Sequence, residues 1–591
     1  MNEQLAHTKL NRAIQQLGAG QPAQARATLQ PVLKAYPDSP QLHLLMGLTL
    51  VKLAQDDGAL RHFGQAIALE PRMAEAYVNR GIMLKNRGRL DEALADLDRA
   101  IALHPNLAEA YYNRGNVRLA LNQMQAARDD FASAVRLNPH YADALANLGE
   151  LLARDGAFAE AFPLLRQAVV LQADRPEFHD SLGNALSGLS RHEEAIAAYR
   201  TALQLNPSQP DVLAHLGNAL AECEHYDEAR QCFDLLLQAQ PRHVQGLNAK
   251  AYMLAALGQY DEAQVLLEQV LAIQPDFALA QFNLALLLLR QGDYAAGWHH
   301  YEARRLDPVT RRRCALREFS QPEWQGEDLA GKTLLLHQEQ GLGDTLQMLR
   351  YLPLLADRGA RLVLLVTPAV AALAASLGTS VEIVTNAEAL PPFDLHCPLM
   401  SLPLRLATTL DSIPAAQGYL SVDAERQQQW AEHLGPRRKP RIGLVWSGSR
   451  HHSNDRRRSL PLSALADLLS LDAEFHSLQL DYRETPEAIA ALGIHDHAAN
   501  LHSLADTAAL IAQLDAVISV DTSVAHLAGA LGKPCWLLLP AHPDFRWGLA
   551  GDTSPWYGSM TLFRQGDDRQ WPPVVDALRR HAEDWLGSQP G

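Results

Sequence analysis

Prolines stand at Pro37, Pro71, Pro105, Pro139, Pro207, Pro241 and Pro275, each a whole number of 34-residue steps from the others. Only Ala173 breaks the series. Glycine keeps the same period at Gly47, Gly81, Gly115, Gly149, Gly183 and Gly217, and the series continues as Ala251 and Ala285. Small residues recur at Ala59, Ala93, Ala127, Ala161, Ala195, Ala229 and Ala263. A bulky one follows four positions later, at Phe63, Leu97, Phe131, Leu165, Tyr199, Phe233 and Leu267. A chain with this period is an array of near-identical units, none of which buries its apolar face alone, so neighbours must stack.

Each unit needs a small residue where two antiparallel helices cross closely, a large one to fill the groove beside it, and a proline to end the second helix. This pattern resembles the tetratricopeptide repeat family, with nine units in register over 6–311. The resemblance implies an all-α superhelix whose first helices line a concave groove. Asparagines recur at one phase of that helix (Asn79, Asn113, Asn147, Asn283), and Asn116, Asn184 and Asn218 lie one helical step on. Asparagine is a mediocre helix former, so its repetition suggests that the amides are wanted for hydrogen bonds, as in gripping an extended peptide backbone. Such a ladder resembles the groove of the O-linked N-acetylglucosamine transferases. A merely solvated polar face is the alternative.

Past Arg311 the pattern changes to short β-branched and leucine runs alternating with helical segments, the signature of α/β units. Residues 312–331 read as a junction. Strands are expected at Thr333–His337, Leu362–Val366, Val381–Val384, Arg441–Trp446, Glu474–Leu478, Ala516–Val520 and Cys535–Leu539. They fall into two Rossmann-like domains, 332–425 and 438–570, followed by a helix within 571–588. The run Gly326-Glu-Asp-Leu-Ala-Gly331-Lys332-Thr333 satisfies a phosphate-loop pattern but precedes its strand instead of following it, which rejects that function. Gly341-Leu-Gly343 begins like a dinucleotide fingerprint whose third glycine would fall at Leu346, so NAD is not expected.

Three loops carry candidate chemistry. His337-Gln-Glu-Gln-Gly341-Leu-Gly343-Asp344 links a strand to a helix expected to begin at Thr345. There Asp344 is either a base pointing into a cleft or a cap on the amides of Leu346 or Gln347. Ser447-Gly448-Ser449-Arg450-His451-His452-Ser453-Asn454-Asp455-Arg456-Arg457-Arg458 is a basic patch suited to phosphate, or else a solvated loop. Asp521-Thr522-Ser523-Val-Ala-His526 opens a helix whose amino end favours an anion, with His526 one turn in as a ligand or a structural residue. Trp298, Trp547 and Trp556 stack on a sugar or base, or belong to the core.

These residues, from about Lys332 to Arg564, resemble the lipopolysaccharide heptosyltransferase-like glycosyltransferases of two-domain GT-B architecture. The resemblance implies that Asp344 is the base. It further implies that Asp521, Thr522 and His526 bind the donor's diphosphate side, with Gly341, Gly343, Ser447, Gly448, Arg456, Arg457, Arg458 and Ser523 completing the donor site. Serine at 523 replaces the family's usual glycine, and arginines at 456–458 its lysine. Repeats followed by this module look most like bacterial flagellin glycosyltransferases.

The expected chemistry is inverting transfer from a nucleotide-activated sugar to a hydroxyl of a protein held by the repeats. No cofactor and no metal are expected, since no Asp-x-Asp follows a strand and His495-Asp496-His497 lacks further ligands in a recognisable pattern. A glycan acceptor, or a scaffold with an inert transferase module, are the alternatives. With 52 basic against 67 acidic side chains and a net charge of −15, the chain is a poor non-specific binder of nucleic acid. Five scattered cysteines and the absence of a secretory leader or membrane-length apolar run suggest a cytoplasmic protein.

Overall fold

The computed structural model describes residues 3–588 except 308–309, 312–313, 415–416 and 451–454. From Glu3 to Tyr301 eighteen helices follow one another in antiparallel pairs, beginning with Glu3–Gly18 and Pro22–Ala35 and ending with Ala278–Gln291 and Tyr294–Tyr301. The periodic prolines lie two residues past the second helix of each pair, as Pro71 does after Asp56–Leu69 and Pro105 after Leu90–Leu103. Here the ring follows the cap and blocks continuation.

The periodic glycines have a direct steric reason. A Cβ built on Gly47 would fall 2.5 Å from the Phe63 ring, on Gly115 2.7 Å from Phe131, on Gly149 2.6 Å from Leu165, and on Gly183 2.4 Å from Tyr199. In these units the bulky residue of the second helix, a ring or a leucine, therefore sits on the glycine of the first, and this small–large contact is what recurs with the 34-residue period.

The chain divides into two compact units, Met1–His243 and Val244–Gly591. The first holds helix pairs alone. The second begins with two further pairs, the last being Ala278–Gln291 and Tyr294–Tyr301, which pack directly onto the α/β body. Tyr294, Trp298 and Tyr301 form a cluster with Phe545 and Trp556, and the buried Arg304 guanidinium pairs bidentately with buried Glu339 at 2.7 and 3.0 Å. The last helix pair, from Ala285 to Tyr301, is thus built into the core of the following module.

That module contains two all-parallel sheets. The first has β1 (Thr333–His337), β2 (Arg361–Leu365), β3 (Val381–Val384) and β4 (Leu395–Pro398) in the order β3-β2-β1-β4. The second has β5 (Arg441–Val445), β6 (Glu474–Ser477), β7 (Ile494–His495), β8 (Ala516–Val520), β9 (Cys535–Leu539) and β10 (Met560–Arg564) in the order β10-β9-β8-β5-β6-β7. Counted within its own domain, the second order is 3-2-1-4-5-6, that of a dinucleotide-binding fold, with its reversal between β5 and β8. Helix Pro572–Gly587 closes the chain, its Trp585 and His581 packed edge-on against Trp536 of β9.

Candidate active site

In an open parallel sheet, ligands collect beyond the carboxyl ends of the strands where the order reverses. In the second sheet the two loops at that point are those after β5 and β8, which carry Ser447-Gly448 and Asp521-Thr522. The facing loop of the first sheet follows β1, whose neighbours β2 and β4 are also its reversal point.

The β1 loop fixes Asp344 by spending its other side chains on structure. Gln338 Oε1 accepts from the Thr367 amide at 2.9 Å, Glu339 is locked by Arg304 and the Met400 amide, and Gln340, at φ +60°, bonds Tyr301. The following helix is Leu342–Met348, not one beginning at Thr345, so Asp344 lies inside its first turn and the expected cap on Leu346 or Gln347 does not form. Instead Oδ2 of Asp344 accepts the Gly341 N–H at 2.8 Å, and Oδ1 pairs with the Arg546 guanidinium.

Gly343 shows why glycine is needed here: a Cβ would lie 2.7 Å from Cδ2 of His526. This contact joins the β1 loop to helix Ser523–Ala530, whose N-cap is Thr522. His526 is buried, its Nδ1 2.9 Å from the Tyr557 hydroxyl and its ring against Trp547, and burial together with Arg546 pushes its pKa down to about 3. It is a neutral imidazole at physiological pH.

Arg458 knits the other two loops. Its Nη1 donates to the Asp521 carbonyl at 2.7 Å, and its guanidinium covers Gly448, where a Cβ would lie 2.4 Å from Nη2. Ser447 is bound through both backbone groups to Gln479, while its own hydroxyl is buried without a hydrogen-bond partner. The Asp521 carboxyl is pushed up to about 6 by burial and by Asp544, whose own carboxyl is held low by Arg546 against the effect of burial. Ser523 lies partly exposed at the helix start, and Arg456 is exposed. Arg457 acts electrostatically on His542. His451 to Asn454 lie outside the described residues.

Gly341, Gly343, Asp344, Gly448, Arg458, Asp521 and His526 therefore lie in loops and helix starts joined by direct contacts beyond the carboxyl ends of the two sheets. Arg546, Asp544, Gln347 and Tyr557 join them without any local sequence signal, since all act over long separations. Trp298, Trp547 and Trp556 are core residues, at most 2% exposed. Lys533, beside the second motif, donates to the carbonyls of Ala512 and Leu514 at the end of helix Leu504–Ala512.

The repeat asparagines divide. Asn79 and Asn113 donate to the carbonyls four residues back, Glu75 and Glu109. Asn147 donates to Asn116 of the preceding pair at 3.1 Å, and Asn184 accepts the Tyr199 hydroxyl. Asn218 is exposed. In the second unit Asn283 donates to Asn248 at 3.0 Å, a buried partner that the spacing did not reveal.

Residues 10–53, 83–122, 106–176, 188–251 and 251–292 match tetratricopeptide repeat models, and 488–579 match glycosyltransferase family 9 (heptosyltransferase). The latter segment includes Asp521, His526 and Arg546. Protein FlbA of Caulobacter vibrioides is 28% identical over 347 residues, 53% of this chain and 56% of that protein, so the chain spans about half the length of this curated relative. Among solved structures, YrrB, a tetratricopeptide repeat protein with an unusual peptide-binding site, is 29% identical, with 32% of this chain and 97% of that one covered at a TM-score of 0.30. The Pseudomonas aeruginosa protein PilF is 23% identical, covering 35% and 95% at a TM-score of 0.31. The chain thus carries tetratricopeptide repeats and a glycosyltransferase family 9 segment on an α/β body. Among the described residues, no helix is long and apolar enough to cross a membrane.

Proposed function

We propose that the protein transfers a sugar from a nucleotide-activated donor to a hydroxyl of a protein acceptor, flagellin foremost, that the repeats hold. The observation that supports this reading is the packing of the Asp344 helix on the helix of the Asp521–His526 motif, through Gly343 and His526, beyond the carboxyl ends of two parallel sheets in a chain with a segment that matches a glycosyltransferase family. Asp344 takes the acceptor hydroxyl's proton as the oxygen bonds to the anomeric carbon and the bond from that carbon to the diphosphate breaks, inverting the centre. Arg458, the Thr522–Ser523 helix start and the loop at Gly448 face the leaving diphosphate, whose charge the amides and guanidinium stabilise. Asp521 stands on the same side, and its carboxyl takes up a proton only as pH falls through about 6. Asn116–Asn147 and Asn248–Asn283 keep unused donors and acceptors for a peptide backbone, since each amide has more capacity than one bond consumes.

The test is intact mass of secreted and surface proteins from cells with and without the gene. A sugar-sized mass that disappears with the gene, returns with the wild type and does not return with Asp344→Ala supports protein glycosylation with Asp344 as base. Unchanged protein masses, with altered surface glycan, support a glycan acceptor. Catalysis is expected to proceed without metal, so turnover abolished by chelator and restored by magnesium contradicts that part.

A further inference from the structure

Asp344 needs something to aim it, and its own loop supplies only one contact. Resting on the glycosyl-transfer reading, we propose that Arg546 is a positioning residue that fixes the Asp344 carboxylate from the opposite side of the cleft.

The Arg546 side chain is 8% exposed, and its three nitrogens reach three different acceptors. Nη2 holds Asp344 Oδ1, Nη1 holds Asp544 Oδ1 at 2.7 Å, and Nε holds Gln347 Oε1 at 2.7 Å. Because Gly341 N–H occupies the other oxygen, the Asp344 carboxylate is gripped at both ends, once from its own helix start and once from the second domain. Rotating the carboxylate breaks one of these contacts. Each oxygen still has a lone pair for a hydroxyl.

The arginine is itself aimed. Its backbone N–H and Nη1 share Asp544, its guanidinium lies 4.4 Å from the Phe545 ring centre, and that ring packs on Trp298 and Tyr301. A lysine cannot bridge three acceptors from one plane. The charged and titratable groups around Asp344 are Arg546 with Asp544 behind it, His526 against Gly343, and Tyr301 and Cys314 from the preceding segments.

The experiment uses the full chain with UDP-, GDP- and ADP-hexoses as donors and secreted host protein as acceptor, reading nucleoside diphosphate release against pH. Arg546→Met is expected to lower kcat about 10²-fold, the size of effect that a misplaced catalytic group produces. Donor KM should stay within about threefold, so that the loss falls on kcat and not on donor binding. Arg546→Lys should recover part of kcat, again at unchanged donor KM. If the methionine variant does not fold, the lysine variant carries the test, with lowered kcat at unchanged KM as the expected result. Wild-type kcat in these variants, with Asp344→Asn inactive, overturns the role of Arg546 and leaves Asp344 as base. A fully active Asp344→Asn overturns the base and this assignment with it, and so does absence of turnover by the wild type.

Discussion

Asp521 shows how a single residue makes the cleft sensitive to pH. Its carboxyl rests at about 6 because burial and the neighbouring Asp544 both disfavour the second negative charge. If it faces the donor's diphosphate, affinity should rise as pH falls through about 6, since protonation removes a repulsion and adds a donor. Titrating a nucleotide sugar by calorimetry between pH 5 and 8 checks this, and Asp521→Asn should flatten the curve. A wild-type curve already flat places Asp521 away from the diphosphate. Gly343→Ala tests the facing loop: its methyl must displace the buried His526 ring, so turnover should fall about tenfold or more, with an overpacking loss of about 1–3 kcal/mol in stability. The candidates legible in sequence lie in the loops that leave a strand's carboxyl end and in the helix starts that follow, where topology alone says a ligand site lies. Arg546 and Gln347 escaped because their importance depends on a partner about 200 residues away or on a fold already formed.

At the scale of elements, the helical repeat was legible because its packing rule is written in small residues. The periodic glycine of a first helix is there to receive a ring or a leucine, which makes the effect of substitution depend on place. Gly115→Ala drives a methyl into Phe131 and should destabilise the first unit by about 1–3 kcal/mol, as overpacking does. Gly64 lies in a helix with only the Arg80 guanidinium nearby, at 3.8 Å, so Gly64→Ala should stabilise by about 0.5–1 kcal/mol. Urea unfolding of both variants checks the contrast, and equal effects would mean that the glycines serve only flexibility. The strands divide in a similar way. β1, β2, β5, β8 and β9 lie inside their sheets, are covered on both faces, and read as continuous apolar runs. The three that the sequence left unassigned, β4, β7 and β10, are all edge strands. β7 has two residues and β4 ends in proline, so neither makes a run long enough to separate from a loop.

For the whole molecule, the buried histidines and the division into units each carry a consequence. His337, His476 and His526 are pushed down to about 3 and His497 to about 4, first by burial, against 6.5 in an unfolded chain. Unfolded chains therefore bind more protons between these limits, and stability present above pH 6.5 is lost as pH falls toward about 3. The melting temperature should drop steadily from pH 7 to 5, and a constant value would mean that these imidazoles are solvated. The second consequence concerns where the catalytic body begins. Sequence pattern ends the repeats at 311, yet Arg304 pairs with Glu339 at full burial, Tyr294 accepts the Trp556 indole N–H at 3.0 Å, and Trp298 abuts Phe545, which carries Arg546 beside it. A chain of residues 312–591 leaves the Glu339 carboxylate buried without its arginine, a loss of about 3–5 kcal/mol before the exposed aromatic faces are counted. A chain of 244–591 keeps all three contacts. The longer fragment is expected to unfold in one cooperative transition by circular dichroism and to bind nucleotide as the full protein does, and the shorter to aggregate or melt far lower. Equal stability of the two would place the boundary at 311 and make the final repeats an appendage; the expected difference makes them the wall on which Arg546, and through it Asp344, is set.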